Sequence, residues 1–128
     1  EIQVLDNERH KDAFIKPNFH QAGALYDIVE PTSNVCNPAG EWNHVLLKIN
    51  HLTNKGEVKL NGTKIVSFPL KGPTWDKLIE NTKFRNIEDV NYDPLFNPNF
   101  GYFDTGKIGL QDHGDKVSYR NIKIREIK

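Results

Sequence analysis

The sequence predicts an antiparallel β-sandwich, and three observations carry that prediction. Short segments with alternating apolar and polar residues recur along the chain, as strands that bury one face require. Asn61-Gly62 sits between two such segments, the pair that a two-residue hairpin turn of type I′ needs. Hydrophobic residues make up only 37% of the 128 residues, while Asn, Gly and Pro are plentiful, a balance that suits many short strands joined by polar turns.

Taken in order, the first element is a strand over residues 1–7, with Ile2 and Val4 expected inward and Glu1 and Gln3 outward. The loop from Asp6 to Asp12 offers Asp6, Asn7, Glu8, His10 and Asp12 as potential oxygen or nitrogen ligands. Their spacing matches no calcium loop, which favours a solvated turn. His10 and His20 match no zinc spacing either. The segment Ala22 to Asp27 places small residues where the backbone has to approach a neighbour. Tyr26 and Asp27 either line a groove, or Tyr26 packs with its hydroxyl at the surface.

Residues 30–39 carry Pro31, Asn34, Asn37 and Pro38 and read as an irregular connection. Alternation resumes over residues 40–51 with Val45, Leu47 and Ile49 on one expected core face. Trp42 is read as a core anchor at that strand's start in preference to a sugar-stacking platform, and His44 and His51 as surface residues. The hairpin follows over residues 57–68, with Glu57, Lys59 and Lys64 on its wet side. Residues 69–73 break the sheet, and Thr74 is the expected cap of a short helix bearing Trp75, Leu78 and Ile79 on one face, with Asp76 in its first turn.

From Lys83 to Phe103, aromatic residues including Phe84, Tyr92, Phe96, Phe100 and Tyr102 alternate with Asn, Asp and Pro, which predicts an ordered loop whose rings are buried. In the next stretch Ile108 and Leu110 face the expected core while Gln111 and His113 share the opposite face. Residues 117–127 close the chain with Ile122 and Ile124 inward and Lys123 and Arg125 outward. If the first strand and the Ile108 strand belong to one sheet, Glu1, Gln3, Gln111 and His113 converge on one polar groove.

Composition excludes some functions. Formal net charge is zero with 27% charged residues of both signs, which argues against a partner held by electrostatics such as nucleic acid. No apolar run reaches the roughly 20 residues of a membrane-spanning helix. Cys36 is alone and makes no intrachain disulfide. The sequence contains no Met and begins in a strand-like stretch, so the native N-terminus is expected to lie upstream, together with any signal peptide or lipid anchor. One domain over residues 1–128 accommodates this length.

Five segments occur in one order: Glu1-Ile2-Gln3-Val4-Leu5-Asp6-Asn7, Ala22-Gly23-Ala24-Leu25-Tyr26-Asp27, Pro38-Ala39-Gly40-Glu41-Trp42-Asn43, Leu60-Asn61-Gly62, and Gly106 to Gly114 with Arg120-Asn121-Ile122. Together they resemble the 3-keto-disaccharide hydrolase family, over nearly the whole chain. The resemblance implies a concanavalin A-like jelly roll, of which this chain is the C-terminal portion lacking several earlier strands. It also implies a periplasmic or cell-surface protein acting on a carbohydrate, an oxidised disaccharide or glycoside.

That substrate class gives the groove a chemistry. A ketone at C3 of a sugar acidifies the C2 hydrogen, so one group removes that proton while another protonates the oxygen leaving C1. His113 is the candidate base or acid. Glu1 is its candidate partner, and Gln3, Gln111, Tyr26 and Asp6 are candidate substrate-binding residues. Asp112 either orients His113 or caps a turn. No cofactor is required by this scheme, although a divalent metal bound through His113 is an alternative Lewis acid. The rival function is a lectin-like carbohydrate-binding module, which would depend on exposed Trp42, Trp75 or Tyr102.

Overall fold

The computed structural model describes residues 1–80, 82–84 and 99–127. Its centre is a three-stranded antiparallel sheet in the order β1-β2-β3, formed by β1 (Val45–Asn50), β2 (Lys55–Leu60) and β3 (Thr63–Pro69). A 3₁₀ turn, η1 (Lys11–Phe14), precedes the sheet and a helix, α1 (Pro73–Ile79), follows it. The chain is thus mostly extended, with one α-helix among the described residues, as the sequence pattern predicts in outline.

The β2–β3 hairpin forms where Asn61-Gly62 places it. Asn61 and Gly62 have φ of 51° and 86°, the paired positive values of a type I′ turn. Asn61 also ties the hairpin to its surroundings: its Oδ1 accepts from the His44 N–H at 2.8 Å, and its Nδ2 donates to the Val35 carbonyl at 2.8 Å and Asn43 Oδ1 at 2.7 Å. The β2–β3 register slips by one residue between Val58 and Lys59, which leaves Ile65 as the extra residue of β3. Neighbouring Ile65 and Val66 are both buried at this bulge, between exposed Lys64 and Ser67.

The core gathers Leu25, Tyr26, Ile28, Val58, Leu60, Ile65, Val66, Phe68, Trp75, Ile79 and Phe84. Gly23 makes the approach of the N-terminal segment to β3 possible. It has φ of 86°, and a Cβ there would lie 2.4 Å from Ile65 Cδ1. Trp75 and Ile79, four residues apart on α1, bury the same helical face. The expected cap is corrected: Gly72 occupies the N-cap without a side-chain bond, Pro73 sits at the first helical position, and Thr74 lies within the first turn.

Three expected strand faces are also corrected. Residues 1–4 form a single bridge, Ile2 to Leu25; Glu1 is exposed and Ile2 packs against the core as expected, but Gln3 is buried and Val4 exposed. In β1, Val45, Leu47 and Ile49 are between 39% and 50% exposed, because β1 is a sheet edge with no second layer over it among the described residues. Residues 101–127 hold no strand; Ile108, Leu110, Ile122 and Ile124 are exposed because no ladder pairs that stretch with the sheet.

Trp42 is not a core anchor. It is 47% exposed and carries the Arg120 guanidinium 3.9 Å from its ring centroid. Phe84 and Phe100 stack at 4.2 Å, whereas Tyr102 and Phe103 are exposed. Tyr92 and Phe96 lie outside the described residues.

Candidate functional site

The site is built where the N-terminal segment meets residues 10–27. Gln3 donates its N–H to the Ala24 carbonyl, Gly23 donates back to the Gln3 carbonyl, and Tyr26 donates to the Glu1 carbonyl. These bonds hold residues 1–3 against residues 23–26 and turn the Gln3 side chain inward. Among the six residues expected to line the groove, Gln3 is therefore an interior one: it is 2% exposed, and its Nε2 faces Asp12 Oδ2 at 3.5 Å.

Beneath lies a buried polar network that pattern reading alone did not assemble. Asp12 Oδ1 and Asp27 Oδ1 face the two ring nitrogens of His20, Nδ1 at 3.0 Å and Nε2 at 3.3 Å, an arrangement that uses two N–H donors. Lys16 Nζ donates to Asp27 Oδ1 at 2.8 Å, and the Lys83 N–H donates to Asp27 Oδ2 at 3.2 Å. Asp27 has φ of 64°, a left-handed conformation that Asp tolerates and most side chains do not. Burial pushes the Asp27 carboxyl up, but the bonds from Lys16, Lys83 and His20 outweigh it and hold the group below its ordinary range. Buried carboxylates persist when they are paired in this way.

Tyr26 belongs to this network and not to an open groove. Its ring lies 4.4 Å from that of His20, and its hydroxyl accepts from Lys83 Nζ at 3.2 Å. Burial, and then the neighbouring Asp12 carboxylate, push the Tyr26 hydroxyl well above its ordinary pKa, so it stays protonated across the physiological range. Asp6 is used locally. Its Oδ1 accepts from the Glu8 and Arg9 N–H groups and its Oδ2 from Arg9 Nε, so the 6–9 turn is closed on itself.

Of the remaining candidates, Glu1 and Gln111 meet at the rim. Gln111 Nε2 donates to Glu1 Oε1 at 3.0 Å, joining the two segments that the sequence placed on one groove. Gln111 Oε1 is buried and has no donor among the described residues. The Gln111 carbonyl accepts from the Tyr119 hydroxyl at 2.9 Å, which fixes the stretch on its far side. Asp112 caps a turn: its Oδ1 accepts from the Gly114 N–H at 2.9 Å. His113 is exposed, and its ring stands edge-to-face with that of His10, centroids 5.2 Å apart.

His10 connects rim and interior. Its Nδ1 accepts the Asp12 N–H at 3.1 Å, capping η1, and its Nε2 lies 3.6 Å from Asp115 Oδ2. Among the described residues no group of three or more His, Cys, Asp or Glu has the arrangement of a metal site. The site therefore offers a surface imidazole, a carboxylate and amides above a rigid charged layer. Sequence signals for His10, Asp12 and His20 existed only as residue types in a polar loop, because their pairing depends on how η1 folds back.

Comparison with known proteins identifies the family. A family model described as a 3-keto-alpha-glucoside-1,2-lyase-like domain matches residues 1–125. A 3-keto-disaccharide hydrolase of Bacteroides thetaiotaomicron is 35% identical, over 98% of this chain and 43% of its own length. The chain thus spans less than half of that relative. With nearly every residue inside the family match and the relative aligned along the whole chain, this chain belongs to the 3-keto-disaccharide hydrolase family.

Proposed function

We propose that the rim of Glu1, Gln111 and His113 binds and cleaves a 3-keto-glycoside, as part of a glycoside hydrolase or lyase that degrades glycans. His113 removes the C2 proton, Glu1 protonates the oxygen leaving C1, and Gln111 holds a sugar hydroxyl. The observation that carries this reading is Gln111 Oε1, a buried carbonyl oxygen beside a carboxylate and without a donor among the described residues. An unpaired buried acceptor costs about 1–3 kcal/mol, and a sugar hydroxyl is the donor it lacks. Gln3 and Tyr26 support the rim from below, and Asp6 shapes the turn leading to His10.

The lectin-like alternative has less to work with. Trp75 is buried, and one face of Trp42 is taken by Arg120. For the fold we propose a two-layer jelly roll of which this chain is the C-terminal portion. The apolar residues of β1 and of residues 108–127 that stand exposed are what a second layer would cover. The family's exported, glycan-degrading members favour a periplasmic or surface location, which cell fractionation tests.

Function is tested by incubating the protein with a 3-keto-glucoside and with the unoxidised glucoside, alongside His113→Ala. Cleavage of the keto-sugar alone, lost in the variant, is the expected result. Binding of both sugars with cleavage of neither would assign a binding module.

A further inference from the structure

Elimination next to a ketone needs a base, an acid for the leaving group and a donor for the oxygen that becomes an enolate. His113 and Glu1 fill the first two roles in the reading above, on which the following rests. We propose that His10 fills the third: its Nε2–H is a fixed hydrogen-bond donor to the C3 oxygen of the keto-sugar.

The geometry of η1 assigns this role. His10 is the N-cap, and its Nδ1 is spent accepting the Asp12 N–H at 3.1 Å. An imidazole whose Nδ1 accepts carries its proton on Nε2. Asp12 is in turn clamped by His20 and Gln3, so the cap does not wander. The His10 side chain is 13% exposed, with Nε2 turned toward Asp115, whose own side chain is 84% exposed. At 3.6 Å that contact is too long for a hydrogen bond, so among the described residues the donor has no acceptor and a ligand oxygen can take it. His113 stands edge-to-face against the His10 ring, centroids 5.2 Å apart, so base and donor lie side by side. A base at C2 and a donor at C3 need that adjacency.

The step balances as follows. The C2–H bond breaks and its proton goes to His113. Its electron pair forms C2=C3 while the C3 oxygen takes the negative charge and accepts from His10, which keeps its proton. As C3=O re-forms, the pair moves to C1=C2, the C1–O bond breaks, and the departing oxygen takes a proton from Glu1. Return of the His113 proton to Glu1 through solvent restores the site, and water added across C1=C2 completes hydrolysis.

His10→Asn is the informative variant, because Asn retains an acceptor for the capping bond and loses the distal N–H. The readouts are exchange of the C2 hydrogen of a 3-keto-glucoside in D₂O, the unfolding midpoint, and the ring-nitrogen NMR shifts of His10 in the wild-type chain. Expected are a proton on Nε2, an unchanged midpoint, and an exchange rate lower by roughly 10²–10³-fold with a smaller change in KM, since the charge exists only beyond the ground state. A proton on Nδ1, or exchange in His10→Asn close to wild type, overturns the role of His10 and leaves the functional reading intact. Absence of both exchange and cleavage in the wild-type chain overturns the functional reading itself, and the role of His10 with it.

Discussion

Replacing Asp27 tests whether the buried layer supports the site. In Asp27→Ala, His20 Nε2 and the Lys83 N–H lose acceptors at 3.3 Å and 3.2 Å. Each orphaned buried donor costs about 1–3 kcal/mol. Lys16 loses the carboxylate at 2.8 Å but keeps the carbonyl of residue 27 at 2.9 Å, and its side chain is 40% exposed, so we assign that loss under about 1 kcal/mol. Alanine at a φ of 64° adds about 1–2 kcal/mol of backbone strain. The sum, about 3–9 kcal/mol, has its lower part within the range of about 3–5 kcal/mol for breaking a buried ion pair from one side. It is a large part of the 5–15 kcal/mol that a domain has to lose. Asp27→Asn keeps the left-handed preference and one acceptor oxygen, so about half of that loss is expected.

Urea titration at neutral pH, followed by circular dichroism, measures both variants. A loss below about 1 kcal/mol for Asp27→Ala would refute the claim that these groups are desolvated and mutually dependent. The pH dependence carries a further check. The folded Asp27 carboxyl lies below its unfolded value, so its contribution is complete above about pH 4 and is lost as pH falls through the folded value. The stability gap between wild type and Asp27→Asn should therefore narrow on acidification below about pH 4 and stay constant above it.

Two further substitutions probe the frame that holds the site. Gly23→Ala places a Cβ 2.4 Å from Ile65 Cδ1 at a φ of 86°, and thermal unfolding should show a loss of about 2–4 kcal/mol. An unchanged midpoint would mean that the N-terminal segment does not pack on β3 as described. Asn61→Ala forfeits three hydrogen bonds and one of the two positive-φ turn positions. A loss of about 1–2 kcal/mol is expected, and Asn61→Gly, which restores the turn alone, should recover about half.

How far the chain could be read without its structure depends on the range of the interaction. The β2–β3 hairpin was legible because Asn61-Gly62 specifies its turn within two residues. The Glu1–Gln111 encounter was legible because alternation put both side chains on faces away from the expected core, so that they meet once the two segments are neighbours. Alternation failed for Gln3, since a buried Asp12 acceptor outweighs the cost of turning an amide inward. It failed again for Val45, Leu47 and Ile49, because period-2 patterning tells which residues share a face and not whether anything covers that face. His20 was unreadable for another reason. Its two carboxylates come from opposite sides in sequence, and only the turn through Pro17 and the left-handed Asp27 brings both to one ring.

The hydrogen bond between Gln111 and Glu1 spans 110 residues, whereas the one between His20 and Asp12 spans 8. Loop-closure entropy grows with the logarithm of that span, so closing the rim costs about 2 kcal/mol more than closing the layer beneath it. During synthesis the Asp12–His20–Asp27 pairing can form once residue 27 has emerged and is completed when Lys83 follows, but the rim waits for Gln111 as well. Folding order thus runs from foundation to chemistry. A chain stalled or clipped before Gln111 would keep an intact support with nothing on it to act on a sugar.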